Sequence, residues 1–349
     1  MNRRFVHILL AAALLLTGSA SCVRRPLLEP EESVEIQVKV NIEAISNVTT
    51  DIYNERIPVP DLTTDMMRVL VYDPDTHNLL TQSFISHKTY TEDGSQLLSG
   101  YLNISYGSYD FVVYNFDTPT TQVSSESNEE SLIAYTPEIS PTMRTHFLGT
   151  RADDYEALNV NFEPDHLVVA REKNFYVSPH DTVVVINTTA RTIIDTYYIQ
   201  IHVEGMQYAS SATAVISGLS PSNRFGLNIR TDDPTAAVCF DLNKSTDKNI
   251  AGANKDVLCA VFNTFGKIEN VTSDLLVTFN VIDIAGNLQQ YSCNLDRIFK
   301  TEDAIERHWL LIDETFVIQK PNGGGENTSS GGFQPQVDEW DLEEGTIAL

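Results

Sequence analysis

One strictly alternating segment near the start of the chain constrains the fold most. Between residues 34 and 42 every second residue is apolar, and the apolar positions are Val34, Ile36, Val38, Val40 and Ile42. A period of two places these side chains on one face of an extended backbone and the polar ones on the other. The segment therefore predicts a half-buried β-strand whose apolar face must be covered by a second layer.

Short apolar runs of the same kind recur along the chain, separated by turn residues such as Asp73-Pro74-Asp75 and Tyr106-Gly107-Ser108. The predicted strands are 67–72, 79–85, 96–104, 109–116, 158–162, 182–186, 193–203, 212–217, 225–229, 257–262, 275–283, 288–293 and 309–318. Only residues 301–307 favour a helix, with Thr301 as its N-cap. The pattern indicates an all-β fold of two consecutive β-sandwich domains.

Composition shifts divide the chain into five predicted segments. These are a signal peptide at 1–21, a tether at 22–33, an N-terminal β-sandwich domain at 34–165, a C-terminal β-sandwich domain at 166–320, and a linker with a terminal strand at 321–349. Residues 118–157 lose the alternation and are rich in Ser, Thr, Glu and Pro. We expect a solvated loop there in preference to a recognition loop.

The first 22 residues read as a bacterial lipoprotein leader. Arg3 and Arg4 precede an apolar run at 5–16, and small residues lead into Cys22. That run is shorter than the about 20 apolar residues needed to cross a bilayer, so removal is favoured over retention. Acyl chains such as palmitate on Cys22 would hold the protein at a membrane. Ser19 is smaller than the usual lipobox residue, and the alternative is ordinary cleavage that leaves a cysteine thiol.

The end of the chain has a different composition from the domains. Residues 321–332 are rich in Gly, Asn and Ser, as in flexible linkers. Phe333, Val337 and Trp340 follow among acidic residues. We expect these apolar side chains to anchor a docking strand, and the sequence leaves open whether it pairs with its own domain or with another subunit.

Charge and motif content limit the functional classes. The formal net charge of −25 repels phosphate backbones, so a nucleic-acid-binding role is not expected. The sequence carries none of the usual nucleophile, metalloprotease or phosphate-loop motifs, and its histidines have no metal-ligand spacing. We therefore expect no enzyme activity, cofactor or metal. Cys239, Cys259 and Cys293 allow three thiols or one disulfide, with Cys259 and Cys293 as the favoured pair.

The whole layout resembles the fimbrillin-type lipoproteins of Bacteroidetes, and in particular their fimbrial anchor and accessory subunits. The residues that carry the resemblance are the leader ending at Cys22, Arg24-Arg25-Pro26-Leu27, the first alternating strand, Gly107-Ser108-Tyr109-Asp110-Phe111-Val112-Val113-Tyr114-Asn115, Ser217-Gly218-Leu219, and the tail from Gly331 to Trp340. The likeness extends over essentially the full chain. Its individual motifs are short.

This resemblance implies two transthyretin-like (Greek-key) sandwiches, attachment to the cell outer membrane through Cys22, and a role in anchoring or assembling fimbriae. The partner would be a fimbrial subunit bound by β-augmentation, in which an extended segment adds to an open sheet edge. Polymerising subunits of the family lose their first strand after a basic residue. Arg56 and Arg151 are candidates for such a cut, but an anchor is expected to stay uncut. The alternative function is a surface adhesin for glycans or host proteins that is not built into a fibre.

Overall fold

The computed structural model describes residues 33–43, 48–49, 51–52, 55–57, 62–148, 159–180, 183–232, 234–247, 255–268 and 275–321. These residues are mostly strand and form two curled β-sandwich-like domains. The all-β prediction is therefore confirmed. Among the described residues, no helix combines the length and the apolar character needed to cross a bilayer.

The elements are numbered in chain order. The strands are β1 Ser33–Ile42, β2 Asp51–Ile52, β3 Glu55–Arg56, β4 Met67–Tyr72, β5 Leu79–Ile85, β6 His87–Tyr90, β7 Gln96–Ser105, β8 Gly107–Asn115, β9 Gln122–Ser124, β10 Ile133–Tyr135, β11 Asn159–Asn161, β12 Val168–Val177, β13 Val183–Thr192, β14 Asp195–Glu204, β15 Ala209–Leu219, β16 Ser222–Arg224, β17 Ile229–Arg230, β18 Ala236–Asp247, β19 Lys255–Thr264, β20 Leu276–Asp283, β21 Leu288–Asn294 and β22 Trp309–Val317. The α-helices are α1 Pro141–Leu148 and α2 Glu302–Glu306.

The first domain is one eight-stranded sheet in the order β5-β4-β8-β12-β13-β1-β7-β6. β1 lies in the middle, antiparallel to β7 and parallel to β13. Its alternating apolar residues are all buried, which confirms the period of two. Because β5 and β6 are separated only by Ser86, one bent segment joins the two ends of the sheet and curls it around a single apolar core.

The second domain is an eight-stranded sheet, in which seven strands follow the order β21-β20-β15-β18-β19-β14-β22 and β11 pairs in parallel with β18. The long strand β18 pairs with β15 through its first half and with β19 through its second half, so it curls this sheet as the β5–β6 segment curls the first. Stacked rings of Phe240 and Phe262, with centroids 4.5 Å apart, lie in the core. The predicted N-cap is confirmed, because Ala304 N donates to Thr301 Oγ1.

The two sheets share one topology. Six strand pairings of the first domain recur in the second, each with the same parallel or antiparallel direction. The strands correspond in chain order: β1 to β14, β4 to β15, β5–β6 to β18, β7 to β19, β8 to β20, β12 to β21 and β13 to β22. In each domain the first strand has one antiparallel and one parallel neighbour. The sequence shows two regions with a similar pattern of short apolar runs and turn residues. The structure shows that both regions fold with the same arrangement of strands.

The predicted domain boundary near residue 165 is too early. β12 and β13 both pair within the first sheet, β12 with β8 and β13 with β1. The change from one sheet to the other therefore falls between Thr192 and Asp195. This boundary depends on which strands pair across a long stretch of sequence. The local composition around residue 165 contains no sign of that pairing.

Residues 118–148 are also more structured than the predicted loop. β9 and β10 form a small sheet with β16 and β17 of the second domain, in the order β17-β16-β10-β9. α1 and β11 pack on the second domain, where Phe147, Leu148 and Val160 lie in an apolar cluster with Val215 and Ala237. This segment of the chain crosses to the second domain and returns, which ties the two domains together. We call the region of contact the junction.

The described chain begins and ends at opposite poles. The Ile42 end of β1 lies beside Ala190, close to the junction, so Ser33 lies about 30 Å away at the outer end of the first domain, at roughly 3.3 Å per residue. In the second domain β14 starts at the junction, and Val317 at the end of β22 pairs with Glu204 at the far end. The segment that follows Val317 therefore leaves from the outer pole of the second domain.

Candidate functional site

The site residues predicted from sequence lie outside the described residues: Cys22, Phe333, Val337 and Trp340. They remain predictions. Cys239, Cys259 and Cys293 are described, and none of them is disulfide-bonded.

Tyr197 and Tyr198 of the second domain do not form an exposed aromatic face for a ligand. Tyr197 is 6% exposed and Tyr198 is 9% exposed. Tyr197 packs in the core against Phe262 and Phe299, whereas Tyr198 lies in a cluster with Trp309, Val48 and Ile57. Both rings support the fold.

A seam between β21 and β22 is the clearest opening in the second domain. These are the two end strands of its sheet, and among the described residues no backbone ladder joins them. Side chains bridge the gap at the outer pole. Gln289 Oε1 accepts from Gln319 N at 2.7 Å and Gln289 Nε2 donates to Gln319 O at 3.0 Å. Tyr291 Oη donates to Val317 O at 2.8 Å.

The Gln289 carboxamide thus satisfies one backbone N–H and one backbone C=O, as a neighbouring strand would. The equivalent position of the first domain is closed by backbone pairing between β12 and β13. Val168 pairs there with Thr192, and Val169 pairs with Arg191. The seam is therefore the place where the common topology is left incomplete.

The free edges of β21 and β22 at the seam differ in how well they are protected against the addition of another strand. β22 carries an irregularity opposite Ile201 and His202, and the inserted Asp313 and Glu314 are exposed. Bulges and charges of this kind discourage strand addition at an edge. β21 pairs regularly with β20 over seven residues and carries no charged residue or proline. The free edge of β21 is therefore the more receptive one.

An apolar cluster and a polar network fix the junction. Phe225 of the second domain is fully buried against Tyr114, with ring centroids 5.3 Å apart. In the polar part, His166 contacts Thr192 Oγ1 at 2.8 Å and Thr196 Oγ1 at 3.1 Å. Burial lowers the pKa of His166 to about 4. The imidazole is therefore neutral at pH 7.

Glu163 lies in the same polar network and bridges the domains. Its Oε1 accepts from Asn263 N of β19 at 2.7 Å. Burial raises its pKa to about 7, the hydrogen bond from Asn263 lowers it, and the nearby charge of Asp165 adds to the rise. A carboxyl group that ionises near neutral pH therefore sits between the two sheets.

A buried charge cluster, the Lys173 cluster, lies on the first domain where the second domain touches it. Lys173 Nζ is 3.0 Å from Asp110 Oδ2 and 2.5 Å from Glu129 Oε2. A Cβ on Gly226 of the second domain would stand 2.0 Å from Glu129 O, so only glycine allows this close approach. Arg171 Nη1 donates to Phe225 O at 2.7 Å.

The cluster also contains the acceptors of a possible cation site. Atoms of His77, Asp110 and Glu129 lie within 4.8 Å of one another. The ammonium of Lys173 already bridges the two carboxylates and balances their charge, which disfavours a metal ion there. Sequence reasoning missed this cluster because its members are far apart in the chain and belong to no motif.

Comparisons with known proteins give relatives over nearly the whole chain. The chain is 20% identical over 360 aligned residues to a Bacteroides ovatus protein named "Putative fimbrium anchoring subunit Fim4B", with 97% of this chain and 95% of that protein covered. A crystal structure described as a "putative adhesin" from Bacteroides ovatus superposes with a TM-score of 0.57 at 17% identity, covering 87% of this chain and 98% of that one. This second likeness shows the fold.

The fimbrial anchor protein Mfa2 from Porphyromonas gingivalis is a more distant neighbour, with a TM-score of 0.46 at 10% identity, covering 83% of this chain and 92% of that one. The expected resemblance to fimbrial anchor and accessory proteins of Bacteroidetes is confirmed by the relative named as a fimbrium anchoring subunit. A family model described as "Domain of unknown function (DUF5119)" matches residues 21–241. Since that match spans more than half of the chain, the protein belongs to the DUF5119 family.

Proposed function

We propose that this protein is a non-enzymatic lipoprotein of the outer membrane that anchors or assembles surface fimbriae by β-strand addition. The similarity to a protein named as a fimbrium anchoring subunit supports the fimbrial part of this proposal. The observation that carries the strand-addition part is the seam, where the Gln289 carboxamide occupies hydrogen bonds that a strand would otherwise make.

In this proposal an extended segment of a fimbrial subunit pairs with the free edge of β21. Main-chain hydrogen bonds supply affinity, and alternate side chains supply selectivity. The Gln289 bridge is weak enough to yield, because each hydrogen bond contributes only about 1 kcal/mol net. The seam also lies at the pole from which the tail departs. Phe333, Val337 and Trp340 therefore have two routes, into their own seam or into an edge of the partner.

The opposite pole suits attachment. Cys22 lies 11 positions before Ser33 in the sequence, and Ser33 lies at the outer end of the first domain. Acylation of Cys22 would hold that pole at the outer membrane and present the seam away from it. An uncut chain is part of this proposal, because β1 precedes Arg56 and cleavage there would separate the lipid and β1 from the rest of the protein.

A photo-crosslinking residue at Ser292 tests strand addition in intact cells. Ser292 is exposed on β21, and we expect it to capture a fimbrial subunit. The matched control is the same residue at Glu35, which is exposed on β1 and pairs with β13 on one side and with β7 on the other. Glu35 should capture no such subunit.

Two further results distinguish the details. A stop after Pro321 that abolishes capture at Ser292 would indicate that the tail of this chain is needed for docking. Equal capture at both positions would contradict strand addition and favour a free adhesin. So would no capture at either position together with glycan or matrix binding by the mature protein.

For the membrane part, Cys22→Ala should release the protein and its fimbriae into the medium, and unchanged retention would count against a lipid anchor.

A further inference from the structure

The Lys173 cluster holds a nucleophile, an electrophile and a proton carrier in contact. Lys173 Nζ is 3.0 Å from the Asp110 carboxylate and 2.5 Å from Glu129 Oε2. Asp110 is 2% exposed and Glu129 is fully buried. Lys173, whose side chain is 43% exposed, balances these two buried carboxylates. Burying carboxylates in charged form is costly, so forming a neutral amide would remove part of that cost.

The local backbone fixes the approach of the amine to the carboxyl group. β8 and β12 are antiparallel neighbours, and a bulge in β12 lies between Glu172 and Phe175. Lys173 and Asn174 form this bulge, and Asn174 has a φ of 52°, a left-handed conformation that asparagine adopts more readily than most residues. As a result Asn174 N donates to Asp110 Oδ1 at 2.7 Å while Lys173 faces Oδ2.

We propose that Lys173 and Asp110 form an intramolecular isopeptide bond, with Glu129 as the proton carrier. The Nζ–Cγ bond forms and the Cγ–Oδ2 bond breaks. Of the three ammonium protons, two are relayed by Glu129 to the departing Oδ2, which leaves as water, and one stays on the amide nitrogen. The carboxylate of Glu129 is regenerated, no electrons are exchanged, and no co-reactant is needed.

Each surrounding group has a role in this step. The Asn174 N–H donates to Oδ1, where negative charge develops in the tetrahedral intermediate. Glu129 Oε2 contacts the amine, and Glu129 Oε1 is buried without a hydrogen-bond partner, so this carboxylate can receive a proton. The Lys173 side chain is 43% exposed, which gives the released water a path to solvent.

A second lysine–carboxylate pair of the same domain shows what an ordinary ion pair lacks. Lys88 Nζ lies 2.9 Å from Asp65 Oδ1, but the Asp65 side chain is 90% exposed. Water solvates that carboxylate, and a solvated pair gains little from becoming an amide. The two pairs have similar distances and different surroundings, so they form a matched comparison within one chain.

The bond would join β8 to β12 and enclose residues 111–172. That loop contains β9, β10, α1 and β11, the elements that reach the second domain. The crosslink would therefore hold the base of the connection between the domains by a covalent bond as well as by packing.

Mass spectrometry of tryptic peptides from the full-length protein tests this proposal directly. We expect a branched species that joins residues 89–144 to residues 172–191 with the loss of one water molecule, and fragmentation that places the link between Asp110 and Lys173. Cleavage after Lys173 should be absent from the linked species, because trypsin does not cut at an acylated lysine.

Three variants complete the test. Lys173→Arg should abolish the branched peptide and Glu129→Gln should reduce it at least tenfold, whereas Lys88→Arg should leave it unchanged. Circular dichroism establishes that each variant is folded. Unlinked Asp110 and Lys173 peptides as the only products of folded wild-type protein would overturn the proposal, and full linkage in folded Glu129→Gln would overturn the role of Glu129.

Discussion

The two domains use the same six strand pairings and differ in the seventh. In the first domain β12 and β13 close the sheet by two backbone residue pairs beside the junction. In the second domain the equivalent strands, β21 and β22, meet at the outer pole through side chains of Gln289 and Tyr291. One topology therefore gives a sheet closed by main chain at the centre of the molecule and a sheet left open at its end.

The difference shows where the chain can change without losing its fold. Backbone pairs at the junction are supported by Phe225 and by the polar network around His166, so they are costly to separate. Among the residues that the structure describes, no comparable cluster covers the outer side of the side-chain bridge at the seam. A partner that competes for hydrogen bonds would meet the least resistance at the second domain. Four measurements test this difference between the domains.

The largest expected effect concerns the apolar part of the junction. Phe225→Ala removes a fully buried ring that packs on Tyr114 and should lower the free energy of unfolding by about 3 to 5 kcal/mol. Urea unfolding followed by circular dichroism measures this loss. Phe84→Ala is the control, because Phe84 is 49% exposed and should cost less than about 1 kcal/mol. Similar losses in both variants would show that the junction gives the first domain no special support.

The next effect is the pH dependence of the polar junction. The pKa of Glu163 is raised from 4.5 to about 7 in the folded protein. Between these pH values the folded state keeps a proton that the unfolded chain has lost, so stability falls as pH rises through this window. At about 1.4 kcal/mol per pKa unit, the carboxylate costs up to about 3 kcal/mol above pH 7. Glu163→Gln retains an acceptor for Asn263 and should be more stable at pH 8 by up to that amount.

His166 makes the folding stability change with pH in the opposite direction. Its pKa is lowered from 6.5 to about 4, so the unfolded chain binds the extra proton between these values and stability rises with pH there. The two slopes oppose each other in wild-type protein between pH 4.5 and 6.5. Glu163→Gln should therefore expose a rising slope in that range, measured by chemical unfolding at several pH values. A variant with the same pH profile as wild type would remove Glu163 from the junction energetics.

A smaller effect is expected at the seam. Gln289→Ala removes both hydrogen bonds to Gln319 and should cost about 0.5 to 1.5 kcal/mol. Hydrogen exchange of the Gln319 amide should become much faster, with little change at the Ile193 amide, which is held by Leu167 O at the junction. Unchanged protection at Gln319 would mean that the seam is closed by something other than this side chain.

The smallest effect tests whether main chain alone closes the first sheet. The Arg191 side chain is 74% exposed and pairs with Glu43. Exposed ion pairs contribute little, so Arg191→Ala should cost less than about 0.5 kcal/mol. Thermal unfolding at low and high salt would detect a larger loss, which would make the closure depend on side chains in both domains.

Sequence patterns predicted the strands well where apolar and polar residues alternate, as in β1, or where turn residues mark the ends of a strand. The predictions for 67–72 and 79–85 match β4 and β5, because the turns around Pro74 and Asn78 bound them clearly. β12 and β18 were missed, since each mixes buried and polar positions along strands that change neighbours or carry a bulge. Most of the predicted strand at 225–229 is a turn between β16 and β17, since β17 begins only at Ile229. Phe225 is buried by the other domain instead of by a sheet face.

The candidate sites were harder to predict than the strands. The seam depends on which strands fail to pair, and nothing local in residues 288–294 reports that. Asp110, Glu129 and Lys173 meet only because a bulge in β12 and the segment after β9 converge on β8. Cys22 and Phe333 stay predictions from the sequence, which rest on the recognisable compositions of leaders and linkers.

The parallel strands at the two poles have a mechanical consequence. A pull applied between Ser33 and Val317 would run along β1 and β22, each of which lies parallel to a long neighbour. A force in this direction acts on all the backbone hydrogen bonds between two paired strands at once. A force that peeled one strand away would break these hydrogen bonds one at a time. The molecule should therefore resist stretching along its long axis better than its thermal stability alone would suggest.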